Sequence, residues 1–341
     1  MTEPLASPQS ALVIGARGVL GALVVDAFAQ RGWTVLEGGR GSSTTPSFRY
    51  VDLADSSTLP AALEGVDLVV STVPDPGLAA ERYVLKNGGV MLNLSAEPAS
   101  ALAELRDSGP ASGTVVMNAG IAPGVTNLVA AALLEEHPEA DEVELVFTVT
   151  TKGSGGSAAA DFAHRGLTGL AHHRVATVRL APPFGTRRVL GFDEVDRGWL
   201  GPIATDVTVT PYVCLAERPV MGLMLALNRA RLISHLPRAA LRARRPTSVA
   251  ATSREPVAHH VSVRTAGRLL ETRLVRGHGD FRMAADSGAI FADALLGHDG
   301  GAAAGPGAWY PEELLTLQRL AEPLAQAGVA VVPYDCDAQT S

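Results

Sequence analysis

The run Ala11-Leu-Val-Ile14 followed by Gly15-Ala-Arg-Gly-Val-Leu-Gly21 constrains the fold of this chain more than any other stretch. An unbroken apolar run suits a strand buried on both faces, and a helix-period pattern continues from the glycines through Gln30. Glycines at such a junction let the backbone turn tightly and let an anion approach the unpaired N–H groups of the helix start. The spacing Gly15-x-x-Gly18-x-x-Gly21 is one residue longer in its first gap than the usual dinucleotide fingerprint, which brings Arg17 into the loop. The expectation is a dinucleotide-binding turn made by Gly15, Ala16, Arg17, Gly18, Val19, Leu20 and Gly21. The alternative is a turn with a structural role alone.

The same rhythm repeats downstream. Strands are expected at 34–36, 48–52, 67–71, 90–94 and 114–117, with helices between them, so that six strands form a doubly wound parallel sheet. Right-handed crossovers then bring the glycine turn and the loops after Ser71, Leu94 and Met117 to the carboxyl edge of the sheet, where ligands bind. After Pro123 the pattern changes: strands are expected at 142–151, 176–180, 207–209, 257–266, 269–276 and 329–332, mixed with helices that include one over 283–296 and one over 311–327, and the Gly-rich run 297–307 reads as a loop. The fold class expected is therefore α/β: a Rossmann-type domain over 1–122, a mixed α/β substrate and dimerisation domain over 123–282, and C-terminal helices over 283–341 packing back on the first domain.

Composition narrows the function classes. With 341 residues and 47% hydrophobic content, the chain can bury a large core. Its net charge of -7 argues against a nucleic-acid partner, which needs clustered positive potential. Cys214 and Cys336 have no metal-ligand or disulfide-framework spacing, so no metal is expected and a reducing, cytoplasmic setting fits. The first ten residues lack the basic flank and apolar centre of a signal, and no apolar stretch is long enough for a membrane span. The partners expected are a small-molecule substrate and a second copy of the chain in a homodimer.

Two opposite charges compete for the end of the second strand in Val35-Leu-Glu-Gly-Gly-Arg-Gly41. An acidic residue about 20 positions beyond the fingerprint would hold a ribose hydroxyl of NAD, whereas a basic one would accept the 2′-phosphate of NADP. Glu37 adjoins the apolar run, while Arg40 follows the Gly38-Gly39 pair, read as a break, and is joined by Arg17 from the other side. The cofactor expected is NADP(H), with NAD(H) as the alternative. Asp52 and Leu53 are placed beside the adenine, and Thr72, Val73 and Pro74 beside the ribose and nicotinamide.

The glycine turn, Gly39-Arg40, Val51-Asp52, Leu92-Asn-Leu-Ser-Ala-Glu97, Asn118-Ala-Gly-Ile-Ala-Pro-Gly-Val-Thr-Asn127, Lys152-Gly-Ser-Gly-Gly156 and Trp309-Tyr-Pro-Glu-Glu313 together resemble the saccharopine dehydrogenase-like (saccharopine reductase) family. The resemblance spans most of the chain loosely, and the Ala-Gly-x-x-Pro-Gly-x-x-Asn combination is its most selective part. It implies a nicotinamide enzyme, typically NADP-linked, that reduces a carbon–nitrogen double bond or oxidises the corresponding amine. Reduction of an enoyl thioester is the nearest enzymatic alternative, and a non-catalytic NADP-sensing regulator is the alternative of another class. The chain departs from the family at Asn93, where related sequences commonly carry Asp.

Reduction of an imine needs a proton at the nitrogen as well as a hydride. The candidates by position are Ser95, Asn118, Lys152 and His164, with Ser95 also close to the cofactor and Glu97 as a further donor. Ser95 and Asn118 serve equally well as turn or cap residues, Glu97 as a first-turn helix charge, and Lys152 as a solvated loop residue. Asp161, His164, Thr168 and His172 share one helix face, which is either solvated or lines the cleft with His164 as acid or base and Arg165 or Arg187 on a substrate carboxylate. Arg40→Ala is expected to weaken NADPH binding about tenfold, with much less effect on NADH. Titration of both nucleotides checks this, and an equal effect on the two would return the choice to Glu37.

Overall fold

The computed structural model describes residues 9–150, 157–192, 200, 206–238 and 254–335. Strands β1 (Ser10–Ile14), β2 (Thr34–Gly39), β3 (Phe48–Tyr50), β4 (Leu68–Ser71), β5 (Val90–Asn93) and β6 (Thr114–Val116) alternate with helices α1 (Val19–Gln30), α2 (Leu59–Leu63), α3 (Ala79–Asn87) and α4 (Ala99–Arg106). Helix α1 stops at Gly32, whose φ of +85° suits glycine, and the N–H of Trp33 returns to the Phe28 carbonyl. Helix α5 (Val125–Glu136) leads into β7 (Glu142–Val149), α6 (Ser157–Thr168), β8 (Val175–Leu180), β9 (Gly185–Gly191), β10 (Thr208–Leu215) and α7 (Arg218–Arg229). The long hairpin β11 (Pro256–Thr265) and β12 (Arg268–His278) follows, then α8 (Asp280–Leu295), β13 (Gly307–Trp309), α9 (Pro311–Leu314), α10 (Leu317–Gln326) and β14 (Ala330–Pro333).

Two sheets organise these elements. The first is all parallel in the order β13-β6-β5-β4-β1-β2-β3, so the direction of winding reverses between β1 and β4, as in a Rossmann fold. The second is mixed, in the order β14-β12-β11-β7-β10-β9-β8. Along β7, Val143, Leu145 and Phe147 join the main core while Val146 enters a smaller cluster with Leu180, Phe184 and Tyr212 on the opposite face.

Three features differ from the sequence expectation. The first sheet gains a seventh strand, β13, from a stretch adjoining the Gly-rich run 297–307: Met117 N–H donates to the Trp309 carbonyl, and the Thr114 hydroxyl to that of Gly305. The second sheet contains β9, and its β10 continues through Pro211. That proline lies beyond the two registered β9 pairs, and its carbonyl accepts from Phe192 N–H, so its missing donor costs the ladder little. The single helix expected over 311–327 is two, because Thr316 is extended and its hydroxyl accepts from Arg319 N–H to start α10.

Helix α8 packs along α1, and polar pairs fix the contact. Arg282 reaches Asp26 and Asp286, while Asp293 accepts from Arg31 Nε at 2.7 Å and from Trp33 Nε1 at 3.2 Å. The most selective sequence motif also meets the Trp309-Tyr-Pro-Glu-Glu313 stretch. A side chain at Gly124 would lie 2.0 Å from the Gly120 carbonyl oxygen, so the loop folds tightly onto the start of α5. There Asn127 Nδ2 donates to Glu312 Oε1 at 3.0 Å.

Burial pushes the Glu312 carboxyl up to about 8, against the opposing effect of the Asn127 hydrogen bond. A carboxyl raised in the folded state favours folding while both states are protonated, and this contribution is lost as pH rises from about 4.5 through 8. Glu312→Gln is expected to flatten that decline and to exceed the parent at pH 9 by up to about 5 kcal/mol. Denaturant unfolding at a series of pH values checks the difference.

Candidate functional site

Gly15 has a φ of +84°, its N–H donates to the Gly38 carbonyl at 2.9 Å, and its own carbonyl accepts from Gly18 N–H at 2.8 Å. A Cβ at Gly15 would lie 2.6 Å from Val73 Cγ1 and 2.7 Å from the Thr72 hydroxyl. Thr72 donates both its N–H and its hydroxyl to the Ile14 carbonyl, at 3.0 and 2.9 Å, which ties the loop after β4 to the turn. At Gly21 a Cβ would lie 2.0 Å from the Gly15 carbonyl oxygen, so α1 starts against the turn itself. Among the described residues no side chain caps the first turn of α1, and Arg17 and Gly18 are exposed. The cradle fits a pyrophosphate approaching backbone N–H groups. Among the residues expected there, Ala16 is buried beneath it, Val19 and Leu20 are half-buried, and Pro74 is exposed beyond Val73.

The pair Gly38-Gly39 does not break β2. The strand runs through both residues, because Gly38 registers with Ile14 and Arg49, and Gly39 with Tyr50. Glu37 lies within the strand beside Val13 and Phe48, and Arg40 is the first residue past its end, exposed. The Arg17 guanidinium lies 4.7 Å above the Phe48 ring, with Nη1 3.5 Å from the Ser42 carbonyl, so Arg17 and the loop after Arg40 come together. Asp52, after β3, accepts from Ala54 N–H at 3.1 Å in a local turn, and Leu53 packs half-buried on the core.

A buried polar cluster occupies the carboxyl ends of β4, β5 and β6. Asn93 Nδ2 donates to Glu81 Oε1 at 2.7 Å, and its Oδ1 accepts from Ser95 N–H at 2.7 Å. Asp75 accepts from the N–H groups of Gly77 and Ala80, at 3.2 and 3.1 Å, while its own N–H donates to Glu97 Oε1 at 3.2 Å. Asn118, with φ of +57°, closes on the Glu97 backbone: its Oδ1 accepts from N–H at 2.8 Å and its Nδ2 donates to the carbonyl at 3.1 Å. Asn118 therefore takes the turn role and positions Glu97. The Ser95 hydroxyl is buried and has no hydrogen-bond partner among the described residues.

Three carboxyls, Asp75, Glu81 and Glu97, are thus at most 7% exposed and act on one another. Burial, reinforced by the charges of Asp75 and Glu97, pushes Glu81 up to about 8. Burial and the Asp75 charge also raise Glu97, against the opposing Arg165 guanidinium. Sequence reasoning missed Asp75 and Glu81. Asp75 lies in the Pro-flanked loop expected beside the cofactor and Glu81 in a short helix, and nothing in one dimension shows that the two are buried together.

The stripe 161-164-168-172 turns elsewhere, and His172 is not on the helix, because α6 ends at Thr168. His164 Nε2 lies 2.8 Å from the Leu236 carbonyl, Asp161 lies 3.9 Å from Arg238, and His172 Nδ1 lies 3.2 Å from the Asn228 carbonyl. His164 and Asp161 meet the segment following α7 and His172 meets α7 itself, and it is Arg165, one residue past His164, whose charge acts on Glu97. Arg187 is held by the Phe184 and Ala216 carbonyls at 2.9 and 3.0 Å, which gives it a structural place. Lys152 lies outside the described residues. One His and acid group, Glu136, His137 and Glu271, has ligand atoms within 4.8 Å of one another, but the Arg273 guanidinium already bridges both carboxylates. Among the described residues no helix is long and apolar enough to cross a membrane.

Residues 11–97 match the NAD dependent epimerase/dehydratase family. No curated protein matches the sequence. Among solved structures, the apo saccharopine dehydrogenase (L-Glu forming) from Saccharomyces cerevisiae aligns over 96% of this chain and 100% of its own, with a TM-score of 0.58 at 12% identity. A meso-dapdh mutant from Clostridium tetani E88, bound to DAP, aligns over 94% and 99% with a TM-score of 0.45 at 13% identity. A dipicolinate-bound dihydrodipicolinate reductase from Paenisporosarcina sp. TG-14 aligns over 91% and 100%, with a TM-score of 0.40 at 9% identity. The family resemblance read from the motifs therefore holds at the level of the fold, which this chain shares with saccharopine dehydrogenase along nearly its whole length.

Because the Gly15 conformation and its contact with Val73 both exclude a side chain, Gly15→Ala is expected to cost about 1–3 kcal/mol of stability. It should also weaken NADPH and NADH alike by about tenfold or more. Parallel unfolding and nucleotide titrations measure the two effects.

Proposed function

Proceeding from the saccharopine dehydrogenase fold, we propose that this protein is an NADP-linked oxidoreductase that reduces a carbon–nitrogen double bond in an amino-acid-derived substrate. The observation that carries the reading is the group of buried carboxyls, Asp75, Glu81 and Glu97, on the same sheet edge as the glycine turn. Carboxyls whose affinity for a proton is raised by burial and by one another can supply the proton that an imine nitrogen takes up as it is reduced. The bound nicotinamide would supply the hydride. Gly15, Gly18 and Gly21 admit its pyrophosphate, and Arg17 and Arg40 favour a 2′-phosphate through charge-assisted hydrogen bonds.

Glu97 is the group assigned to hold and deliver the proton for the substrate nitrogen. Its burial and the neighbouring Asp75 raise its affinity for that proton, and Arg165 limits how far. Asn118 fixes the backbone on which Glu97 sits, and Asn93 separates Glu81 from the backbone of Ser95. The buried Ser95 hydroxyl offers a hydrogen bond to the substrate, and Arg165 offers a counter-charge for its carboxylate.

The test is NADPH consumption by an amino acid and a 2-oxo acid supplied together, compared with each alone and with enoyl thioesters. Turnover with the pair supports the reading, turnover with the thioesters alone replaces it with enoyl reduction, and tight NADPH binding without any turnover points to a regulator. Glu97→Gln should lower kcat about 100-fold with NADPH affinity retained. As a donor is lost when pH rises through its own pKa, the alkaline decline in kcat of the parent should disappear in that variant.

A further inference from the structure

We infer that Gly41 and Phe48 are positioning residues that set the preference for a 2′-phosphorylated dinucleotide by holding the Arg17 guanidinium beside the end of β2. The inference rests on the NADP reading above and names what enforces it. Arg17 stems from an exposed turn, yet its guanidinium is laid over the Phe48 ring at 4.7 Å and reaches the Ser42 carbonyl at 3.5 Å. Parallel pairing of β2 with β3 is what brings the ring there, since Phe48 registers with Glu37. A Cβ at position 41 would lie 2.8 Å from Arg17 Nη1 and 3.9 Å from Arg17 Cζ, with nothing else of the described residues within 4 Å. The φ of Gly41 is not in the left-handed region, so its missing side chain serves the guanidinium and not the backbone.

The space beside this guanidinium suits an anion. A Cβ at Gly39 would meet no atom within 4 Å, its registered neighbour Tyr50 is 52% exposed, and Arg40 is exposed next to it. Residues 38–42 carry no carboxylate to accept hydrogen bonds from a ribose diol. An arginine already oriented on an aromatic face loses less freedom on gripping a phosphate than one that must be ordered by it.

The experiment uses the full chain and two probes, adenosine 2′,5′-bisphosphate and 5′-AMP, titrated calorimetrically. The parent should prefer the bisphosphate. Gly41→Ala displaces only the far end of a flexible side chain, and Phe48→Leu removes the aromatic face while keeping apolar bulk. Each should weaken the bisphosphate about fivefold while 5′-AMP moves less than about twofold, and adding Arg17→Ala to either should cost little more than Arg17→Ala alone. If Arg17→Ala lowers the preference and neither positioning variant does, the inference fails and the NADP reading stands. If Phe48→Leu weakens both probes equally, its role is structural and the inference fails for that residue, with Gly41→Ala deciding the remainder. Equal affinity of the parent for both probes would overturn the NADP reading and the inference together.

Discussion

A methyl group at position 21 would lie 2.0 Å from the Gly15 carbonyl oxygen and 2.7 Å from its carbon, and no rearrangement short of moving α1 relieves that contact. This absence of a side chain sets how near the first helix comes to the first strand. With α1 seated there, α8 packs along it, and Arg282 and Asp293 lock the pair. The Gly15 carbonyl also shapes the turn, and the turn in turn fixes Thr72 and Val73, so the loop after β4 has one place to go. The approach of a pyrophosphate and the placement of the neighbouring strand edge thus depend on the same missing atoms.

The second sheet does not stand apart from this arrangement. Helix α5 begins at Gly124, packs on β11 and β12, and is joined to α9 by the Asn127–Glu312 hydrogen bond. The most selective motif of the sequence therefore works at a seam, where an amide satisfies one oxygen of a carboxyl whose burial raises its affinity for a proton. Asn118, at the start of that motif, has a left-handed backbone and an amide that closes on the Glu97 backbone in the loop after β5. Selectivity of a sequence pattern and contact with a substrate are different things: both asparagines are accounted for by backbone and side-chain partners.

The parallel alternation was legible because burial on both faces demands continuous apolar strands separated by amphipathic helices, a pattern that survives in one dimension. Strand β13 was not legible. Gly307-Ala-Trp309 is too short to show a period, and it pairs with β6 only after α8 has carried the chain back to that edge. The single helix read over 311–327 failed for a local reason, since an extended Thr316 capping the next turn looks in sequence like any helical threonine. The face carrying His164, read as either solvated or lining the cleft, instead brings His164 to the Leu236 carbonyl, while its exposed neighbour Arg165 supplies the charge that reaches Glu97.

By itself the sequence determined that this chain would form a Rossmann-type sheet with a glycine turn at its first crossover, because φ preference, close approach and apolar periodicity are all local properties of a few residues. It also brought out the two arginines, Arg17 and Arg40, as competitors of Glu37. Only the tertiary structure decided that β2 continues through Gly39, so that Arg40 stands at the strand end with Arg17 stacked on Phe48 nearby. It alone decided that Asp75, Glu81 and Glu97 form one buried group, because three strands must be laid side by side before their carboxylates can desolvate and repel one another.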